Sequence, residues 1–438
     1  MVWISLGIPL SVPELKFLLV GERLGDGFIM YRDLYDHTGP FAAFVYKWLD
    51  LIFGRSRWVH LICSTILVIF QAGFFNNILL RNKAYNENTY VPAFLYVVLM
   101  CGTFDFFALS PQLMSLTFIL LSLNHVFRRI DNVVTDELFL YSGVYLGIAT
   151  GFYLPSIIFI VVFLMSFILF TTSVVRRLLI FIYGSVSVFV ITWGYFFWYG
   201  AAGDFLYSFF WAGLTKPNQP LITYMSFLES GYVLGIVALI SFTVLFTLRL
   251  TNFQQKMQQV MVLLFLGSIL IILFSKELST LDLVLFIPSI TFFLVYFIFS
   301  LRKKIWRFSL PYLIIFSLLL YPFFWKDRMA PSALWLDDNE EITFHDQRLM
   351  GIGVSVNEFR DNKLAGPFLD PYLSQKKLEQ LYYFHGASEL YKVISESSPE
   401  IIEDRWGIVP QLFEQFPKLR NSYHQTGDTT YIRIATQP

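Results

Sequence analysis

Asp33, Asp36 and His37 fall within five residues, inside the stretch YRDLYDHTGP that runs from Tyr31 to Pro40. Side chains of these types move protons. The three-residue step from Asp33 to Asp36 would set both carboxylates on one face of a helical turn. Strongly apolar segments surround the stretch. Carboxylates beside a bilayer are costly unless they are solvated or functional, so chemistry is to be looked for here first.

The elements that must position this stretch belong to a membrane. Of the 438 residues, 56% are hydrophobic and only 15% are charged, against about 25% charged in a soluble domain. This is the composition of an α-helical polytopic membrane protein. Candidate spans cover 58–80, 90–107, 112–127, 137–152, 153–171, 178–199, 230–248, 258–274, 280–300 and 305–325. One long kinked segment is the alternative across Pro155. The first apolar run, Met1–Leu10, is short for a span of about 20 residues; counted in, it brings the number to about eleven. Five basic clusters share one side of this alternation: Arg81/Lys83, Arg128/Arg129, Arg176/Arg177, Arg249/Lys256 and Arg302–Lys304. The positive-inside rule makes that side cytoplasmic. The loop 201–229 and residues 326–438 then lie outside.

Arg55 and Arg57 would break the rule if 39–54 crossed the membrane. That segment instead carries Phe41, Phe44, Val45, Trp48, Leu51 and Ile52 at helical spacing, with Lys47 and Asp50 on another face. This is the pattern of a helix lying in the membrane plane. Residues 12–27 read the same way. Ser11 with Glu14 matches a capping box, and Pro13 suits a first helical turn. The region 11–54 is thus two surface helices joined by the acidic turn, on the outer face.

Two further regions complete the outer side. The loop 201–229 carries Asp204, Trp211, Lys216 and prolines 217 and 220. Residues 326–438 turn polar and contain no further span, so the expected division is a membrane domain over 1–325 and a small α/β domain over 326–438. Helices are expected in EQLYYFHGASELYKVISES and IVPQLFEQFPKLRNSY, and a strand in TTYIRIAT. The domain has no metal-ligand spacing, Gly-rich phosphate loop or nucleophile elbow. Cys63 and Cys101 sit in apolar runs and read as buried thiols. A formal net charge of zero gives no basis for a nucleic-acid partner.

Taken together, PELKFLLVGERLGDG, MYRDLYDHTGPFAAFVY and LIFG within residues 11–54 resemble the first outer loop of bacterial GT-C glycosyltransferases. That superfamily includes protein O-mannosyltransferases and aminoarabinose transferases. Asp33, Asp36, His37, Pro40 and Phe53-Gly54 fill its acidic, "hxxP" and closing "lfG" places. The stretch FDFFALSPQL resembles its Ser-Pro turn between the third and fourth spans. The likeness is detailed over roughly the first 130 residues and architectural beyond them.

The resemblance implies transfer of a sugar from a polyprenyl-phosphate-linked donor on the non-cytoplasmic face of the inner membrane. The acceptor would be an envelope glycan, lipid or protein. It implies no certain cofactor; a divalent metal is compatible with it, although the sequence sets out no metal ligands. Such a displacement needs a carboxylate to orient or deprotonate the acceptor and cations on the departing phosphate. Asp33 is then the general base or acceptor-orienting group, with a turn cap as its plain structural role. Asp36 is the alternate base, or a metal or acceptor contact. Glu14 matches an early acidic position of the superfamily and equally suits its capping box. His37 binds phosphate or steers a carboxylate. Arg32 and Lys216 are candidate phosphate ligands, with a solvated loop lysine the stronger reading of Lys216; Asp105 either faces the same cavity or is a hydrogen-bonded aspartate at a helix end. Glu22, Arg23 and Asp26 read as simple pairs on a helix face. Two other classes compete. A non-catalytic scaffold of an envelope machine would tolerate Asn in the acidic turn. A transporter would show charges deep within spans and internal repeats, and neither stands out.

Overall fold

The computed structural model describes residues 10–130, 135–170, 175–218, 220–247, 250–329, 334–336, 343–379 and 384–434. They form two compact units. One is helical, from Trp58–Thr192 and Pro217–Trp335; the other combines Pro9–Arg57, Trp193–Lys216 and Leu336–Pro438. The expected boundary at 325 falls inside the helix Lys304–Met329, and the second unit takes in two earlier stretches besides the polar C-terminal region.

Long apolar runs make the helices of the first unit, because an apolar solvent obliges the backbone to satisfy its own hydrogen bonds. Helices Arg57–Arg81, Pro111–Ile130, Asp136–Phe152, Val175–Trp198 and Asn252–Phe274 follow the expected spans within a few residues. Among the described residues, four helices are long and apolar enough to cross a membrane, or five if one bent pair is a single span. The eleven expected also include shorter apolar helices, such as Val91–Met100 and Leu154–Phe170, and a first run that lies almost wholly outside the described residues. Tyr224–Ser230 and Tyr232–Phe246 meet at 63°. The 280–300 run opens as a 3-10 turn, Thr280–Phe286, before its α-helix. At Pro155, a 3-10 turn over Leu154–Ser156 separates two helices, so the single kinked segment does not form. The run Met1–Leu10 lies, except for Leu10, outside the described residues.

Small residues and buried amides bring these helices together. A Cβ on Gly143 would stand 2.0 Å from the Phe181 carbonyl oxygen, and one on Gly147 2.7 Å from that of Ser185. Ser185 Oγ donates to the Gly143 carbonyl at 3.0 Å. This is the small-xxx-small crossing by which helices approach closely in lipid, where the hydrophobic effect does not drive association. Gln71 acts similarly, donating to Leu113 O and Thr117 Oγ1 and accepting from Tyr96 Oη.

The second unit begins with helices at the two expected places, α1 (Val12–Gly25), most of it buried, and α2 (Pro40–Phe53). Its sheet contains β1 (Arg348–Ile352), β2 (Lys363–Leu364), β3 (Ile401–Asp404), β4 (Tyr423–Gln425) and β5 (Thr430–Arg433), in the order β2-β1-β3-β5-β4. β1 runs parallel to β2 and β3; β5 runs antiparallel to β3 and β4. β3 is buried throughout, and β1 at every residue but its first, as parallel strands covered on both faces are. Helices Phe384–Ser397 and Val409–Gln415 and strand β5 lie where the sequence indicates. Pro417 begins a separate short helix.

Candidate active site

The acidic turn hangs between α1 and α2, so their packing sets its ends. Ser11 and Glu14 complete the capping box of α1. The helices approach where a Cβ on Gly21 would come within 2.8 Å of the Tyr46 carbonyl oxygen, and Phe17 stacks on Tyr46 at 5.2 Å between centroids. Within the turn, Tyr31 takes a positive φ of 70°, uncommon for a residue with a bulky side chain. Its buried ring is fixed against Phe196 and Phe205, and its hydroxyl donates to Thr38 O at 2.7 Å. The turn is also joined to the chain preceding helix Pro371–Leu378. Tyr35 N donates to Pro367 O at 2.6 Å, and Asp370 N donates to Tyr35 O at 2.9 Å.

That junction builds a charged cluster. Asp370 caps the helix by accepting from Leu373 N at 3.0 Å. Its Oδ2 lies 3.0 Å from His37 Nδ1 and 2.5 Å from Lys216 Nζ. Lys216 and Asp370 are both buried, whereas the His37 side chain is 28% exposed. Burial alone would raise the Asp370 pKa, but the hydrogen bond from His37 and the charges of His37, Lys216 and Lys16 outweigh it and hold the carboxyl well below the usual range. A buried ion pair persists only with such geometry and additional hydrogen bonds. Asp36 Oδ1 stands 3.7 Å from His37 Nδ1, while Asp36 Oδ2 accepts from Thr38 N at 3.0 Å and from the Thr38 hydroxyl.

Asp33 has a different neighbourhood. Arg32 grips it with two parallel hydrogen bonds of 2.8 Å, and Ile29 N donates to it at 2.9 Å. Such a fork fixes the orientation of the carboxylate. The Arg32 side chain is 38% exposed and also reaches Tyr199 O. Glu14 pairs with Arg57 at 3.1 Å. Arg55 meets Glu22 at 3.5 Å and donates to carbonyl oxygens of Phe359, Arg360 and Asn362. Both arginines that depart from the charge rule therefore have local partners. The expected helix-face pairs among Glu22, Arg23 and Asp26 take another form: Glu22 turns to Arg55, and the buried Arg23 stacks on Phe28 and donates to Ser397 Oγ. Asp105 belongs to the helical unit, where Thr103 and Thr280 donate to it.

The structure thus brings together Asp36, His37 and Lys216 from the sequence candidates and adds Asp370. The addition carried a local signal: an Asp before a Pro at a helix start is an N-cap, but nothing in the sequence joins it to residue 37. One ligand atom from each of Asp36, His37 and Asp370 lies within 4.8 Å of the others, a geometry that can gather a cation. The Lys216 ammonium already sits on the Asp370 oxygen that such an ion would use, so these residues favour a built-in positive charge over a divalent metal.

No family model matches the chain, and no curated protein matches it. Among solved structures, it resembles ArnT from Cupriavidus metallidurans, determined bound to undecaprenyl phosphate, with a TM-score of 0.57 and 10% identity over 99% of this chain and 96% of that one. It also matches AglB, the oligosaccharyltransferase of Archaeoglobus fulgidus in complex with an inhibitory peptide and a dolichol-phosphate, with a TM-score of 0.47, 10% identity and 98% and 71% coverage. ArnT and AglB are both GT-C glycosyltransferases. The likeness to ArnT, end to end in both chains, gives this protein a GT-C-like membrane fold.

Proposed function

We propose that the protein transfers a sugar from a polyprenyl-phosphate-linked donor to an envelope acceptor on the outer face of the inner membrane, from a scaffold of about eleven crossings. The observation that carries this reading is the His37–Asp370–Lys216 arrangement on the turn between α1 and α2. A carboxylate on Nδ1 orients an imidazole and supports its protonated form. His37 takes the proton from the acceptor hydroxyl as its oxygen attacks the anomeric carbon. The bond from that carbon to the lipid phosphate oxygen breaks, and the phosphate leaves with the electron pair. Arg32, held by Asp33 with its guanidinium part exposed, meets the developing phosphate charge. Lys216 keeps Asp370 ionised from within the protein. Asp36 fixes the turn through Thr38 and lies near the same imidazole. The fold shared with ArnT, solved with undecaprenyl phosphate, supports the choice of donor class.

The test is a deletion strain rescued by wild type or by His37→Gln at equal membrane levels, with lipids and surface glycans profiled by mass. Loss of a general base costs about 10²-fold or more. The variant should accumulate an unused polyprenyl-linked sugar and lack one glycan mass. Full rescue by His37→Gln would remove the cluster from catalysis and make a scaffold role the better reading.

A further inference from the structure

The sheet carries a second polar constellation. β1 and β3 are parallel neighbours, and the chain leaves their carboxyl ends toward opposite edges of the sheet, to β2 and to β4. In open α/β sheets, ligands bind in the crevice at such a divergence. Gly353 follows β1 there, and Arg405-Trp406-Gly407 follows β3. The Trp406 indole lies face-on against Gly353: a Cβ at that glycine would stand 2.3 Å from Nε1, 2.5 Å from Cδ1 and 2.6 Å from Cε2. Trp406 is 38% exposed. Its loop is pinned, because the Asp404 carboxylate accepts from Trp406 N at 3.1 Å and from Val409 N at 2.6 Å. Arg405 N donates to Ile352 O at 3.0 Å.

The preceding residue, Arg405, holds two buried carboxylates under one guanidinium. Arg405 Nε donates to Glu403 Oε1 at 2.9 Å, and its Nη2 stands 3.7 Å from Glu358 Oε1. Glu403 is buried, and its Oε2 has no hydrogen-bond partner. Buried acceptors are rarely left so. The missing partner is a donor.

We propose that this ledge binds a saccharide, with a C–H face of the sugar ring on Trp406 and hydroxyls donating to Glu403 and Glu358. The negative face of an aromatic ring attracts polarised C–H groups, and sugar hydroxyls supply the donors that Glu403 lacks. Glu358, Glu403 and Asp404 outnumber Arg405, which turns away phosphates and other anions. The ledge is therefore distinct in chemistry from a lipid-phosphate site. Its assignment to the acceptor glycan rests on the transfer reaction proposed above, but the binding itself does not.

The experiment uses the full chain in lipid nanodiscs, free of sugar-based detergent, with chitotriose, cellotriose and mannotriose observed by saturation-transfer NMR. At least one trisaccharide should bind wild type. Trp406→Ala should weaken it about tenfold, equivalent to about 1.4 kcal/mol, while Trp406→Phe keeps most of the affinity. Glu403→Gln should weaken it less than Trp406→Ala, and His37→Gln should bind as wild type does even where transfer is lost. Equal melting temperatures for wild type and Trp406→Ala exclude unfolding as the cause. No binding to wild type by any of the three, or equal affinity for Trp406→Ala, overturns the proposal.

Discussion

Asp370 is the residue on which the proposed centre turns, because one oxygen serves both His37 and Lys216. Its depressed folded pKa has a definite consequence. An acid whose pKa is lowered on folding contributes stability that is complete above its unfolded value, about 3.9, and is lost as pH falls below it. The wild type should therefore hold its melting temperature from neutral pH down to that region and fall beneath it. Lys216→Met removes a cation from a buried carboxylate, a change that costs about 3–5 kcal/mol. It should also move the acid edge upward, because Asp370 then protonates more readily. Melting temperature against pH for the two proteins checks this; superimposable profiles would mean that the ion pair is energetically idle. Asp36, His37 and Lys216 were legible in the sequence because polar groups stand out among apolar ones. Asp370 was not, since its cap explains it locally and its partners come from residues far away in the chain. Nor could spacing reveal that Arg32 would grip its immediate neighbour Asp33.

The elements were more legible than their breaks. Apolar length sets where helices run, and Ser11, Pro13 and Glu14 mark the start of α1 by capping chemistry. The 63° bend at Gly231 and the 3-10 opening at Thr280 depend on neighbours, and hydropathy does not record them. Close crossings were also invisible as energetics, although the glycines were in view. Gly143 and Gly73 both occupy helix interiors, yet only Gly143 faces another backbone. Gly143→Leu should lower the melting temperature sharply, since overpacking costs about 1–3 kcal/mol and often more where backbone cannot yield. Gly73→Ala meets nothing within 4 Å and should be neutral or slightly stabilising. Thermal unfolding in the same lipid compares the two directly. Similar losses at both positions would show that helix propensity, not the crossing, sets the cost.

At the scale of the molecule, the composition break near residue 326 marks only one of three stretches that make the second unit. Residues 9–57 and 193–216 join it through pairings no local pattern specifies, such as Tyr35 with Phe368 and Lys377 with Asp204 at 2.6 Å. This assembly bears on what the polar region does. If it served only to hold an acceptor, a chain ending at residue 335 would still transfer sugar to a small acceptor. The geometry argues otherwise. Truncation removes Asp370, strips the hydrogen-bond partners from Tyr35, and leaves Lys216 without the carboxylate it is buried against. Breaking a buried ion pair and leaving backbone groups unpaired are each costly, so the turn 26–39 should lose its order. The truncated chain should then fail with small and large acceptors alike, and limited proteolysis should cut within 26–39, where the intact protein resists. Retained transfer to a small acceptor, with that turn still protected, would mean that the reaction centre stands without Asp370.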